Sequence, residues 1–197
     1  MMLSEVTPVP QAALPVAEFK DHLRLGTGFA DDDVQNGVLE PALRAAIATV
    51  EAHVSKATIA RDYEWSVTAW RDFASQTLPI APVASLDALT IVDRMGDAEV
   101  IDPSRYTLLP DTHRPRLATT GFCLPPIPVG GKAVIAFSAG YGPSWAFVPA
   151  DMAQAIMMLA AQYYENRSSL TGRDQGLPSP VAILLERYRD LRLFGGG

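Results

Sequence analysis

The feature that most limits the fold of this chain is a change of hydrophobic period, helical at both ends and alternating in the middle. Leu39, Leu43, Ile47, Val50 and Val54 recur at steps of four, four, three and four. That spacing puts them on one buried face of a long helix reaching about Lys56. Asp31, Asp32 and Asp33 precede it, where the positive end of the helix dipole favours negative charge. Gly37 and Pro41 interrupt the pattern. An interior proline costs about 3 kcal/mol, so a kink is expected, the alternative being a short turn before a second helix. Upstream, Pro15 opens a shorter helix with Val16, Phe19 and Leu23 on one face, closed by Gly26-Thr27-Gly28. Residues 1–14 carry Pro8 and Pro10 without periodicity and read as a flexible arm.

From Tyr63 the period drops to two. Tyr63, Trp65, Val67 and Ala69 alternate with Glu64, Ser66 and Thr68, the pattern of a half-buried strand. Pro79 and Pro82 restrict 77–83 to an edge or connector. Leu86–Val92 and Ala98–Ile101 flank Asp93-Arg94-Met95-Gly96-Asp97, a hairpin signal. Tyr106–Leu109 returns as a strand, residues 110–131 read as a long proline-rich loop, and Lys132–Ser138 is a strong strand ended by Gly140-Tyr141-Gly142-Pro143. Helical spacing then resumes. Pro149 starts a helix with Asp151 in its first turn and Met152, Ile156, Leu159 and Tyr163 on one face. Ala155–Ala161 is apolar nearly all round, and too short to span a bilayer. After a polar loop, Ser179-Pro180 caps a last helix with Val181, Leu184, Leu185, Tyr188 and Leu191 as its stripe.

The expected fold class is therefore α+β: mainly a helical bundle of about four helices, one long, with an inserted antiparallel strand-rich block. One domain spans 1–197: an arm at 1–14, helices at 15–57, the strand-rich insert at 58–142, helices at 148–192 and a flexible tail at 193–197. At 197 residues such a chain buries roughly 70% of its unfolded surface without staples.

Charge and chemistry exclude more than they assign. Sixteen Lys and Arg against 22 Asp and Glu leave a net charge of −6, which argues against a tight DNA binder, since phosphates need clustered cations. The single Cys123 excludes an intrachain disulfide or a cysteine-based zinc site. Lying among Phe122, Leu124 and prolines, it reads as a small buried hydrophobe. The start of the chain has no apolar secretion signal. His22 and His53 fall in helical patterns and His113 in a loop, with no nucleophile elbow to serve. Asp31–Asp33 fan apart on a helix and cannot share one ion, while Asp93–Ser104 lacks the acidic twelfth residue of a calcium loop. Gly26-Thr27-Gly28 follows a helix, and Gly130-Gly131-Lys132 lacks the spacing of a phosphate loop. Arg187, Arg189 and Arg192 read as a solvated helix face, the alternative being an anchor for an acidic partner. No catalytic set, cofactor site or metal site is expected. Charged residues are only 19% of the chain, below the about 25% of an ordinary soluble domain, as expected where partners cover part of the surface.

Five segments in order carry a resemblance: VEAHVSKA (50–57) after the acidic helix start, DPSRY (102–106), AVIAFSAGYG (133–142), VPADMAQAI (148–156) and YYENR (163–167). Over residues 15–192 the chain resembles the head–tail connectors, or adaptors, of long-tailed phages and of phage-derived gene transfer agents. The resemblance implies a structural, non-enzymatic ring, usually dodecameric, in the neck of a particle assembled in the bacterial cytoplasm. Its partners would be the capsid portal on one side and a stopper or tail-completion protein on the other, with DNA passing through unbound and no membrane involved. Tyr141, Tyr164, Arg167, Leu191, Leu193 and Phe194 are the expected interface residues, the last three as apolar anchors before Gly195–Gly197. Two other readings stay open: another neck-ring protein such as a stopper, or a small hydrolase or ligand-binding domain with a pocket near Tyr141, Trp145 and His113.

Overall fold

The computed structural model describes residues 1–25, 33–166 and 176–189. The chain divides into two compact units, one made of Met1–Val9 and Ile59–Pro143, the other of Pro10–Thr58 and Ser144–Gly197.

The first unit is built on strands, with one short 3-10 turn at Pro103–Arg105. Strands β1 (Met2–Glu5), β2 (Arg61–Val67), β4 (Val83–Val92), β5 (Ala98–Val100) and β8 (Lys132–Ala139) form an antiparallel sheet in the order β1-β2-β8-β4-β5. Strands β3 (Ser75–Thr77), β6 (Tyr106–Leu109) and β7 (Arg116–Thr119) form a second sheet in the order β3-β7-β6. Alternation buries Tyr63, Trp65 and Val67 of β2 with Ala133, Ile135 and Phe137 of β8, and the Tyr63 and Phe137 rings stack at 5.7 Å.

The second unit is helical: α1 (Val16–His22), α2 (Asp33–Val54), α3 (Ala150–Glu165) and α4 (Ser179–Leu185), with α2 packed on α1 and α3, and α4 on α3. Pro41 neither ends nor restarts α2, which runs unbroken for 22 residues. Burial explains this. Leu39, Leu43, Ile47, Val50 and Val54 are all at most 3% exposed, and at about 1.5–3 kcal/mol per buried side chain they outweigh the cost of one proline. The C-terminus of α2 is locked by Ser55 in the left-handed region (φ 54°) and by Lys56 N–H donating to Glu51 O at 3.3 Å. The buried Glu51 Oε1 then accepts from Thr58 N–H (2.7 Å) and Thr58 Oγ1 (2.6 Å), which turns the chain away from the helix.

Four expectations need correction. The fold is α+β, but not mainly a helical bundle: strand content is comparable, because even three-residue segments such as β3 and β5 find ladder partners. The arm at 1–14 is not loose at its start. β1 pairs in register with β2, and Glu5 Oε1 meets Arg61 Nε at 3.1 Å. The loop at 110–131 contains β7, whose Leu117 is fully buried between two partner strands; four residues between prolines are too few to show a period. Cys123 is exposed rather than buried, since only Leu124 and Pro125 of its stretch turn inward.

The sheet unit closes on itself at Gly140. A Cβ there would lie 2.4 Å from Ala60 N and Cα, and the residue has φ 143°. Gly140→Ala should destabilise the protein by about 2 kcal/mol or more, read as a lower denaturant midpoint. Ser55→Gly should stabilise it by about 0.5–1 kcal/mol, because relief of left-handed strain exceeds the added chain entropy of glycine.

Candidate functional site

The C-terminal part of the helical unit is built around one carboxylate. Asp151 sits in the first turn of α3 because Pro149 starts the helix. Its Oδ1 accepts from Met152 N–H at 3.0 Å and from the Tyr188 hydroxyl, and its Oδ2 meets Arg187 Nε at 2.9 Å. Arg187 Nη2 donates to the Tyr188 hydroxyl at 2.6 Å, and the guanidinium lies 4.7 Å from the Tyr188 ring centre. The three side chains form a clasp that fixes the turn after α4 to the start of α3. Residues 190–197 follow that turn in the sequence and lie outside the described residues. Arg187 is thus an ion-pair partner as well as an exposed side chain, a change from the solvated helix face expected of it.

A second feature is a depression of about 380 Å³ lined by Gly37, Val38, Pro41, Ala42, Tyr163 and Tyr164. Pro41 has no N–H, so the carbonyl of Gly37, four residues earlier, lacks its helical donor. The Tyr163 hydroxyl is fixed by Thr49 Oγ1 at 3.1 Å. Tyr164, an expected interface residue, therefore borders an open apolar surface. Tyr141 is half-buried at the end of β8. The structure does not bring the remaining expected residues together with these: Arg167, Leu191, Leu193 and Phe194 lie outside the described residues, as does Arg192.

The sheet unit carries a feature that periodicity did not reveal. Phe73 and Phe122, 65% and 87% exposed, face each other with ring centres 6.1 Å apart. They sit in irregular segments, where their only sequence signal is being large aromatics outside any buried stripe. His113 is exposed in a turn whose backbone is held by Asp111 Oδ1. Among the described residues no three histidine, cysteine or carboxylate side chains converge as a metal site.

Burial, and then its bond to Asp151, push the Tyr188 phenol up to about 12 from an ordinary 10. The folded state thus favours the protonated form. Its contribution is whole below pH 10 and is lost as pH rises through about 12. The denaturation midpoint of the natural chain should fall more steeply between those values than that of Tyr188→Phe. At neutral pH the variant should lose about 1–2 kcal/mol, because Asp151 loses a donor.

No family model matches the chain, and no curated protein does. Solved structures do. A chain in the neck of an empty gene transfer agent particle, computed with C6 symmetry, is 50% identical with a TM-score of 0.89, covering 100% of this chain and 99% of that one. A chain from the virion of the native gene transfer agent particle is 49% identical with a TM-score of 0.87, and one from the native neck computed with C12 symmetry is 45% identical with a TM-score of 0.82, each over the same shares. With half of its residues identical over the whole length, the chain belongs to the family of gene transfer agent neck proteins.

Proposed function

We propose that the chain is a structural head–tail adaptor. Copies of it close into a ring between the capsid portal and the stopper or tail-completion protein, and leave a channel for DNA. The observation that carries this reading is the full-length match at 50% identity to a neck chain. Neck reconstructions with C6 and with C12 symmetry are both satisfied by twelve copies, since a twelvefold ring contains the sixfold one.

The residues support the same role. Charged side chains are scarce, and several are spent inside the subunit, as in Arg61–Glu5 and Asp151–Arg187. The net charge of −6 suits a channel that DNA must cross, because a cationic lumen would bind phosphates and slow it. No step of covalent chemistry is assigned to the chain. Its work is to bury surface against partners, on the order of 1,000 Å² or more at each stable contact. The clasp contributes by fixing the point from which the tail with Leu191, Leu193 and Phe194 reaches the portal. Tyr141, Tyr164 and Arg167 are assigned to contacts with neighbouring chains.

Direct binding to the purified portal tests the adaptor role. The full chain should bind the portal and add a ring to it in electron micrographs. Deleting residues 191–197 should abolish docking while the circular dichroism spectrum stays unchanged. Docking that survives the deletion overturns the role of the tail. A chain found in the neck without portal affinity is a stopper instead.

A further inference from the structure

We propose that the ring closes edge to edge, the β1 strand of one copy taking the β5 strand of the next into one continuous sheet. The inference deepens the ring reading above and rests on it. A cyclic ring uses heterologous contacts, in which each copy presents two different patches. The two ends of the five-stranded sheet, β1 and β5, are such a pair.

The register of the main chain decides what each end offers. Val6 N–H donates to Asp62 O at 2.9 Å, and hydrogen-bonded pairs alternate along an antiparallel ladder. Met2 and Ser4 therefore turn their N–H and C=O groups to β2, and Leu3 and Glu5 turn theirs outward. At the other end, Ile101 N–H donates to Leu89 O at 2.8 Å and Asp93 N–H to Asp97 O at 2.9 Å. Glu99 thus faces β4, and Ala98 and Val100 face outward. Among the described residues no strand takes up either set. A partner that buries these groups has to pair them.

The two edges fit each other in direction, spacing and side chains. Four antiparallel pairings separate β1 from β5, so both strands run the same way and the new pair is parallel. In a parallel pair a residue bonds to the two residues that flank its opposite number. Leu3, set opposite Glu99 of the next copy, donates to Ala98 O and accepts from Val100 N–H, and Glu5 N–H donates to Val100 O. Neighbours in the twelvefold ring differ by a twelfth of a turn, within the about 10–35° by which paired strands twist. In this register Met2 and Val100, 64% and 69% exposed, lie on one face of the joined sheet and cover each other. Glu99 comes beside Glu5, whose charge is met by Arg61 at 3.1 Å. The edges are also unguarded. End strands are commonly blocked by proline, lysine or a bulge, and β1 and β5 contain none of the three.

Cross-linking in assembled particles tests the contact, in full-length chain carrying Cys123→Ser to remove its natural thiol. Met2→Cys with Ala98→Cys places two thiols opposite each other on the exposed face. This variant should give a ladder of dimers, trimers and larger species with a short bis-maleimide, and either single cysteine should give monomers only. Adding Leu3→Pro removes an outward N–H and keeps the β1–β2 bonds; it should cut the ladder about tenfold or more. Adding Leu3→Ala, which keeps that N–H, should leave the ladder in place. Dimers from Met2→Cys alone would mean that β1 edges meet each other and would overturn the proposal. So would a ladder that survives Leu3→Pro, or rings in particle necks that yield no ladder, outcomes that leave the adaptor reading standing. Absence of the chain from particle necks would sink both.

Discussion

The sheet unit depends on one crossing of the backbone. β2 and β8 are neighbours in antiparallel register, Arg61 facing Ala139, so the chain enters and leaves this unit at the same place. Ala60 N–H donates to Gly142 O at 2.8 Å and Gly140 N–H to Pro82 O at 2.9 Å, which closes the base of the sheet around a residue that tolerates no side chain. The AGYG segment is therefore a packing requirement first. Once entry and exit are joined, the insert can carry two sheets without lengthening the path between the two halves of the helical unit. The helical unit in turn can be assembled from segments about eighty-five residues apart in sequence.

A chain with few charges uses them as fasteners. Arg61, 8% exposed, meets Glu5 and lies 5.3 Å from the Tyr63 ring centre, which holds β1 to the sheet. Glu51 holds the turn after α2 through Thr58, and Asp151 holds the turn after α4 through Arg187 and Tyr188. Each fastener lies where an element ends or begins, so removing one frees a boundary rather than opening the core. A buried charge left without its partner is costly, and this keeps each boundary in one arrangement. Large apolar side chains such as Phe122 and Met2 remain exposed on the subunit.

What could be read from the sequence follows the range of the forces involved. The period of α2 survives Gly37 and Pro41 because five apolar residues repeat across them, and the β4–β5 hairpin is legible because its turn chemistry is local. The VPADM helix start is legible for the same reason. β1 is not, because its partner lies about sixty residues away and its four residues show no alternation. β7 is hidden among prolines, and the exposure of Cys123 depends on which residues of one irregular segment turn inward. The clasp is not legible either. Asp151 reads correctly as a helix-dipole residue, but nothing local announces that Tyr188, thirty-seven residues on, donates to it. The order of the short segments VEAHVSKA, DPSRY, AVIAFSAGYG, VPADMAQAI and YYENR is legible without any long-range contact, and the neck chains of gene transfer agents match over the whole length.

The two units also divide the labour that a neck ring demands. Such a ring has to hold its own neighbours in place. The proposed lateral patches both belong to the sheet unit, whose many short strands leave end strands and turns available. In the helical unit the turn after α4 is fixed by an ion pair and a buried phenol. The exact side-chain geometries of the fold lie where elements meet: Arg61 with Glu5 at the β1–β2 pair, Glu51 with Thr58 after α2, and Asp151 with Arg187 and Tyr188 between α3 and the turn after α4.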